Sequence, residues 1–260
     1  MSDLEAARRL AEFWDRPRSG CWRRWGAFLV DAVVVTVPFQ ILVVLLFAMT
    51  HGTVQITTGI IFSNCPTRVS LLELPSDLEP SPPEGANYAY ICRSSFFGWE
   101  TARWLTVGRF SNGRTIGRNY RLDTNNEVTN AWTLDWIAYL TLFVYLIGLE
   151  RRYGATLGKW LAGIRVVDTQ ASDTIGIPLH KAVGRNVLIW AGMLPMLIVL
   201  FASITLNHGD LEATFSDSFF RWYFAAGLLT AAWQLWIAIE VARKHDPIYD
   251  RIAGTAVLRV

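Results

Sequence analysis

Histidine and cysteine are scarce, with four and three in 260 residues. His51, His180, His208 and His245 are scattered, and no two stand at helical or metal-ligand spacing, which argues against a zinc or other metal site. There is no Gly-x-Ser-x-Gly elbow. Gly154 to Lys159 lacks the Gly-x4-Gly-Lys-Ser/Thr spacing of a phosphate loop, because Trp160 follows Lys159. The expectation is a protein that is not an enzyme and takes no cofactor. A formal charge of +2, with arginines dispersed among apolar runs, is too small for a nucleic-acid binder. Residues 1–20 carry charge but no apolar h-region, so no cleavable signal peptide is expected ahead of the first apolar run, itself the expected insertion signal.

What the chain has is apolar length. It is 52% hydrophobic with a positive mean hydropathy, which suits a small multi-span protein. The expected fold class is an all-α integral membrane protein of about four transmembrane helices. These are a span at 27–50 broken only by Asp31, one at 132–149 opening with Trp132, Asp135 and Trp136, an uncharged one at 187–206, and one at 219–241. The connecting parts are an N-terminal segment 1–26, a loop 51–131, a loop 150–186, a short loop 207–218 and a C-terminal segment 242–260. Six arginines precede the first span (Arg8, Arg9, Arg16, Arg18, Arg23, Arg24), and six cations lie in the third connection (Arg151, Arg152, Lys159, Arg165, Lys181, Arg185). Four follow the last span, whereas 207–218 has none. The positive-inside rule then places both termini in the cytoplasm of a multi-pass protein in the cell (inner or plasma) membrane.

The loop 51–131 is expected outside and, at about 80 residues, to hold a small β-containing lobe. In it, 75–83 reads as irregular and RWLTVGRF-SNG-RTIGRNYRL as a hairpin turning at Asn112-Gly113. Cys65 and Cys92 are its only cysteines. They could close a disulfide or remain two unpaired buried thiols. Cys21 is expected free on the cytoplasmic side.

Arg24 and Asp31 stand seven residues apart on one helical face, about 10 Å along the axis. Arg24 can snorkel, but Asp31 lies a turn inside the apolar run and needs a partner. Two readings stay open: an ion or proton site, or one end of a structural pair with Arg24 or a loop arginine. Asp135 and Glu240 sit at span ends and can face water, and Pro38 and Pro195 interrupt spans without deciding anything.

A pattern occurs twice on the cytoplasmic side. KWLAGIRVV (159–167) and DRIAGTAVL (250–258) align without gaps, each a short helix ending at a glycine, Gly163 or Gly254, before a β-branched run. The runs 164–168 and 255–260, the second opening with Thr255, are expected to pair as strands at the inner surface, with 175–179 as a third. Arg151, Arg152, Lys159 and Arg165 are placed to hold anionic lipid headgroups.

The same residues resemble the RDD family of membrane proteins. The likeness lies in RRWGAFLVD (23–31), GATLGKWLAGIRVVD (154–168) and YDRIAGTAVL (249–258), and spans Gly20 to Val260 without the outer loop. The resemblance implies that Arg24, Asp31 and Asp250 are the eponymous charges, that Gly154, Thr156, Gly158 and Lys159 form the supporting motif, and that Asp250 meets Arg24 or Lys159. The chain departs from the family in its long cysteine-bearing loop and in a fourth span where many members have three. Members have been linked to cation and proton exchange, to unspecified transport and to quality-control assemblies. Two functions follow as expectations. One is a small cation/proton-coupled transporter or transporter subunit, homo-oligomeric, with Asp31 as carrier tuned by Arg24 and Asp250. The other is a non-transporting membrane scaffold or assembly factor that meets a membrane-protein partner through its outer lobe and cytoplasmic face.

Overall fold

The computed structural model describes residues 17–75, 78–111, 114–171, 174–207, 214 and 216–260. The chain divides into two compact units, the first residues up to 33 together with 142–260 and the second residues 34–141. Helix α1 (Cys21–Met49) contributes to both, with Pro38 inside it.

Among the described residues three helices are long and apolar enough to cross a membrane: α1, the run Leu179–Leu206 and the helix Asp217–Ala242. This corrects the expected four. Helix α2 (Asp135–Tyr153) ends in Glu150, Arg151 and Arg152, leaving only 136–149 uncharged. At a rise of ~1.5 Å that is roughly 21 Å, short of a hydrocarbon layer of ~30 Å. The run Leu179–Leu206 is α4 (Leu179–Trp190), a 3-10 turn (Ala191–Met193) and α5 (Leu194–Leu206). It starts earlier than the apolar stretch at 187, directly after Pro178, and Pro195 falls in the first turn of α5, where its missing N–H costs nothing.

The all-α expectation fails as well, since eight strands form three sheets among the described residues. The first unit is built around one of them. Strands β7 (Ile164–Asp168) and β8 (Thr255–Arg259) pair antiparallel, with Val166 opposite Val257. Ser19 N donates to Val257 O and Arg259 N to Pro17 O, so the start and end of the described chain are stitched together. Ala27, Ile147, Ile164, Val166, Ile177, Ala182 and Val257 form the core beneath. The expected third strand at 175–179 is absent: Pro178 leads straight into α4, and Ile177 instead buries its side chain and donates its N–H to Glu150 O. Short helices α3 (Leu157–Leu161) and α7 (Ile248–Ala253) precede the two strands, and α6 is the helix Asp217–Ala242.

The second unit holds a four-stranded antiparallel sheet in the order β2 (Phe62–Arg68), β3 (Tyr88–Phe96), β4 (Trp99–Ser111), β5 (Arg114–Arg121). Leu78, Ala89, Leu105, Val107, Tyr120 and Leu122 are its core, and β1 (Val54–Gln55) pairs with β6 (Trp132–Thr133) below it. Ser111 pairs with Arg114 across the expected hairpin, whose turn, Asn112-Gly113, lies outside the described residues. A second hairpin, β3 to β4, turns at Phe97-Gly98, both at positive φ (48° and 92°), as a two-residue turn between right-twisted strands requires.

Edge strand β2 buries none of its seven residues and is bonded to β3 by the disulfide Cys65–Cys92. With little side-chain burial of its own, β2 depends on this cross-link, whose 27-residue separation corresponds to about 3 kcal/mol of loop-closure entropy. Replacing both cysteines by alanine is expected to speed protease cleavage within 62–75 severalfold while leaving the helical fragments intact, as read by limited proteolysis and mass spectrometry.

Candidate functional site

Asp31 is buried in α1 and serves as the docking point for the start of α3. Thr156, the N-cap, is extended (φ −83°, ψ 172°) and accepts a hydrogen bond from Lys159 N. Its hydroxyl proton goes to Asp31 Oδ2 at 2.5 Å, while Gly158 N donates to Oδ1 at 2.8 Å and Tyr145 Oη donates to Oδ1 at 2.9 Å. Three donors thus converge on one carboxylate, two of them from the N-terminal turn of a helix, where backbone N–H groups lack intrahelical partners. Position 158 must be glycine for this contact: a Cβ there would lie 2.0 Å from Ala27 O.

Nearby runs a chain of alternating charge. Arg24 Nη1 meets Asp250 Oδ2 at 2.6 Å, Arg185 Nε meets Asp250 Oδ1 at 2.6 Å, and Arg185 Nη1 meets Glu150 Oε1 at 2.7 Å. Lys159 closes the chain on Glu150. Glu150 and Asp250 are fully buried, and Arg185 is 3% exposed. Around them Ser19 and Tyr249 bind Arg24, Asn186 Nδ2 donates to Glu150 Oε2 at 3.2 Å, and Thr255 Oγ1 donates to Asp250 Oδ1 at 3.3 Å. Burial alone would push the Asp250 carboxyl up, but Arg185 and then Arg24 outweigh it and hold it below the usual carboxylate range. On Lys159 burial wins over Glu150 and moves the ammonium below its ordinary range. The network so spans the segment ahead of α1 and the helices α1, α2, α3, α4 and α7, and its charges are paired where an unpaired one would cost several kcal/mol, although Arg24 Nη2 has no hydrogen-bond partner among the described residues.

The expected residues therefore fall into two clusters. Arg24 and Asp250 are paired directly, whereas Asp31 is bonded to neither and goes to the Gly154–Lys159 loop. Lys159 goes to Glu150. Gly163 and Gly254 close α3 and α7 at φ 62° and 64°, the left-handed conformation that ends a helix without penalty only at glycine. Gly154, at φ 66°, accepts from Val166 N through its carbonyl, and Thr255 opposes Asp168 in the β7–β8 pair. Arg185, Glu150 and Tyr145 went unnoticed as site residues. Glu150 looked like the polar end of an apolar run, and Arg185 like one more flanking cation two residues before another. The detectable signal was the 3.6-residue pattern of LHKAVGRNVLIW, which puts Arg185 and Ala182 on one face.

A cavity of about 390 Å³ adjoins the network, lined by Arg24, Lys159 and Arg185 on one side and Trp25, Phe28 and Ile237 on another.

Exchanging Gly158 for alanine drives a methyl group into the α1 backbone and parts Asp31 from its donors. The expected result is a loss of about 1–3 kcal/mol in unfolding free energy in detergent, against little change for Gly148→Ala, where an added Cβ meets nothing within 4 Å.

A family model, that of the RDD family, matches residues 116–254, more than half of the chain. No protein of curated function and no solved structure matches. The matched segment carries Glu150, Gly154–Lys159, Arg185 and Asp250, and ends at Gly254, just before β8 begins. It leaves out α1, so Arg24 and Asp31 lie beyond it even though they bond to residues within it. With that match, the three apolar helices and the buried charges together, this chain belongs to the RDD family of membrane proteins.

Proposed function

We propose that this protein is a non-catalytic membrane scaffold or assembly factor, whose buried charges fix helix register and whose lobe and basic face meet its partners. The observation that carries the reading is the coordination of Asp31: its carboxylate accepts three protein hydrogen bonds and caps a helix, an arrangement that holds two elements together. The other buried carboxylates among the described residues are likewise occupied, Asp250 by two arginines, Glu150 by Arg185 and Lys159, and Asp168 by Lys181. A cation carrier needs carboxylate oxygens turned toward its ion, and here those oxygens face protein donors.

The lobe is the natural surface for a membrane-protein partner, and exposed Arg151 and Arg152 suit anionic headgroups of the cell membrane.

The rival reading, a cation/proton-coupled transporter acting as a homo-oligomer, draws support from the cavity beside Arg24, Lys159 and Arg185. Flux in proteoliposomes separates the two. With a pH-sensitive dye inside, pulses of sodium, potassium or lithium are expected to move no protons in wild type or in Asp31→Asn. Cation-dependent proton movement in wild type that is lost in a folded Asp31→Asn variant would overturn the scaffold reading.

A further inference from the structure

The lobe does not stand off from its membrane helix. After β1 the chain turns back along α1: Thr58 O accepts a hydrogen bond from Gln40 Nε2 at 3.3 Å, and Gly59 lies so close that a Cβ there would be 2.2 Å from the same amide and 3.1 Å from Thr36. Gln40 is fully buried and stands nine residues before Met49, about 13 Å below the end of α1. Above that level α1 still exposes Ile41, Leu42, Leu45 and Met49, the surface expected against hydrocarbon rather than water. The start of α2 is held at the same place, where Asp135 Oδ1 accepts from Thr57 N at 2.8 Å.

One end of the β-sheet is tied to this segment. Ile56 N donates to Thr101 O, and β2 starts at Phe62, three residues past Gly59, opposite Ser95. The Phe97-Gly98 turn lies between these attachments. Its exposed side chains are aromatic: Phe97 is 70% exposed, Trp99 63% and Phe62 71%. A phenylalanine at φ 48° is uncommon, since a bulky L-residue there carries a steric penalty that asparagine or glycine would reduce. The backbone of this tip is paired as far as Phe96 and Trp99, which leaves the turn residues and the outer edge of β2 to bond headgroups and water at the interface. Immediately behind it, the buried Arg103 forms a two-pronged ion pair with the partly exposed Glu100 at 2.6 Å.

We infer that Phe62, Phe97 and Trp99 form a membrane-inserted tip, which seats the lobe in the lipid leaflet on its own side. The occupant of this apolar patch is lipid acyl chain at the interface, where aromatic side chains are favoured. The lobe is then a fixed element at the membrane surface, with its opposite end, near Leu72 and Phe110, carried roughly 26 Å away along β3.

Spin labels test this. In a Cys21→Ser background that keeps the Cys65–Cys92 bond, a nitroxide is attached to Phe97→Cys, Trp99→Cys or Leu72→Cys in the full chain, reconstituted in lipid nanodiscs. At 97 and 99, collision with oxygen is expected to exceed collision with a water-soluble nickel chelate severalfold, and at 72 the order is reversed. Equal access of the chelate to 97, 99 and 72 would overturn the proposal. Because position 97 lies in the turn itself, Trp99→Cys supplies an independent reading if Phe97→Cys does not yield monodisperse protein.

Discussion

A guanidinium shared between two buried carboxylates is the contact on which the helical unit depends. Arg185 joins Glu150 of α2 to Asp250 of α7, and from those two acids the contacts pass to Lys159 and to Arg24. In a low-dielectric interior no member can be left alone, so the position of each constrains the next. Asp250 must sit on α7 where Arg24 and Arg185 both reach it. Gly254 then ends that helix and starts β8, and β8 completes the sheet with β7 while accepting the backbone of Ser19. Asp31 performs a parallel task one step away, anchoring α3 through Thr156 and Gly158.

Arginine at 185 has a geometric reason. Its Nε and Nη1 point to two different acids at 2.6 and 2.7 Å, a spacing that a planar fork fixes from two nitrogens, whereas an ammonium would draw both acids around a single atom. The lobe relies on other forces: a small apolar core, antiparallel pairing, and a disulfide across its exposed edge strand. One unit is locked by charge in a buried network and the other by sheet and cross-link.

Much of this was legible in the sequence, for physical reasons particular to each segment. The repeat of Ala-Gly before a β-branched run marked β7 and β8, because only glycine ends a helix in the left-handed conformation cheaply and β-branched residues favour the strand that follows. The motifs around 23–31, 154–168 and 249–258 marked the family, and the resemblance set Asp250 against Arg24 or Lys159, of which Arg24 is its partner and Lys159 goes to Glu150. The number of spans was misjudged because hydropathy counts residues and not what their ends are bonded to. Glu150 closes α2 as a network member, and α4 begins eight residues before the apolar run that announced it. The partner of Asp31 was misjudged because its donors are a backbone N–H and two hydroxyls, groups that carry no sign in a charge count. The Phe97-Gly98 turn escaped because phenylalanine is not a turn residue by type.

The central claim is that the buried charges hold the helices together. It is tested most directly by unfolding free energies for Arg24→Met, Asp250→Asn and the two combined, in a background that still folds in detergent. A mutual latch is expected to make each single change costly and the pair strongly non-additive, with a coupling of at least about 1.5 kcal/mol. Small effects that add to within about 0.5 kcal/mol would contradict it, showing charges that sit side by side without bearing on the stability of the fold.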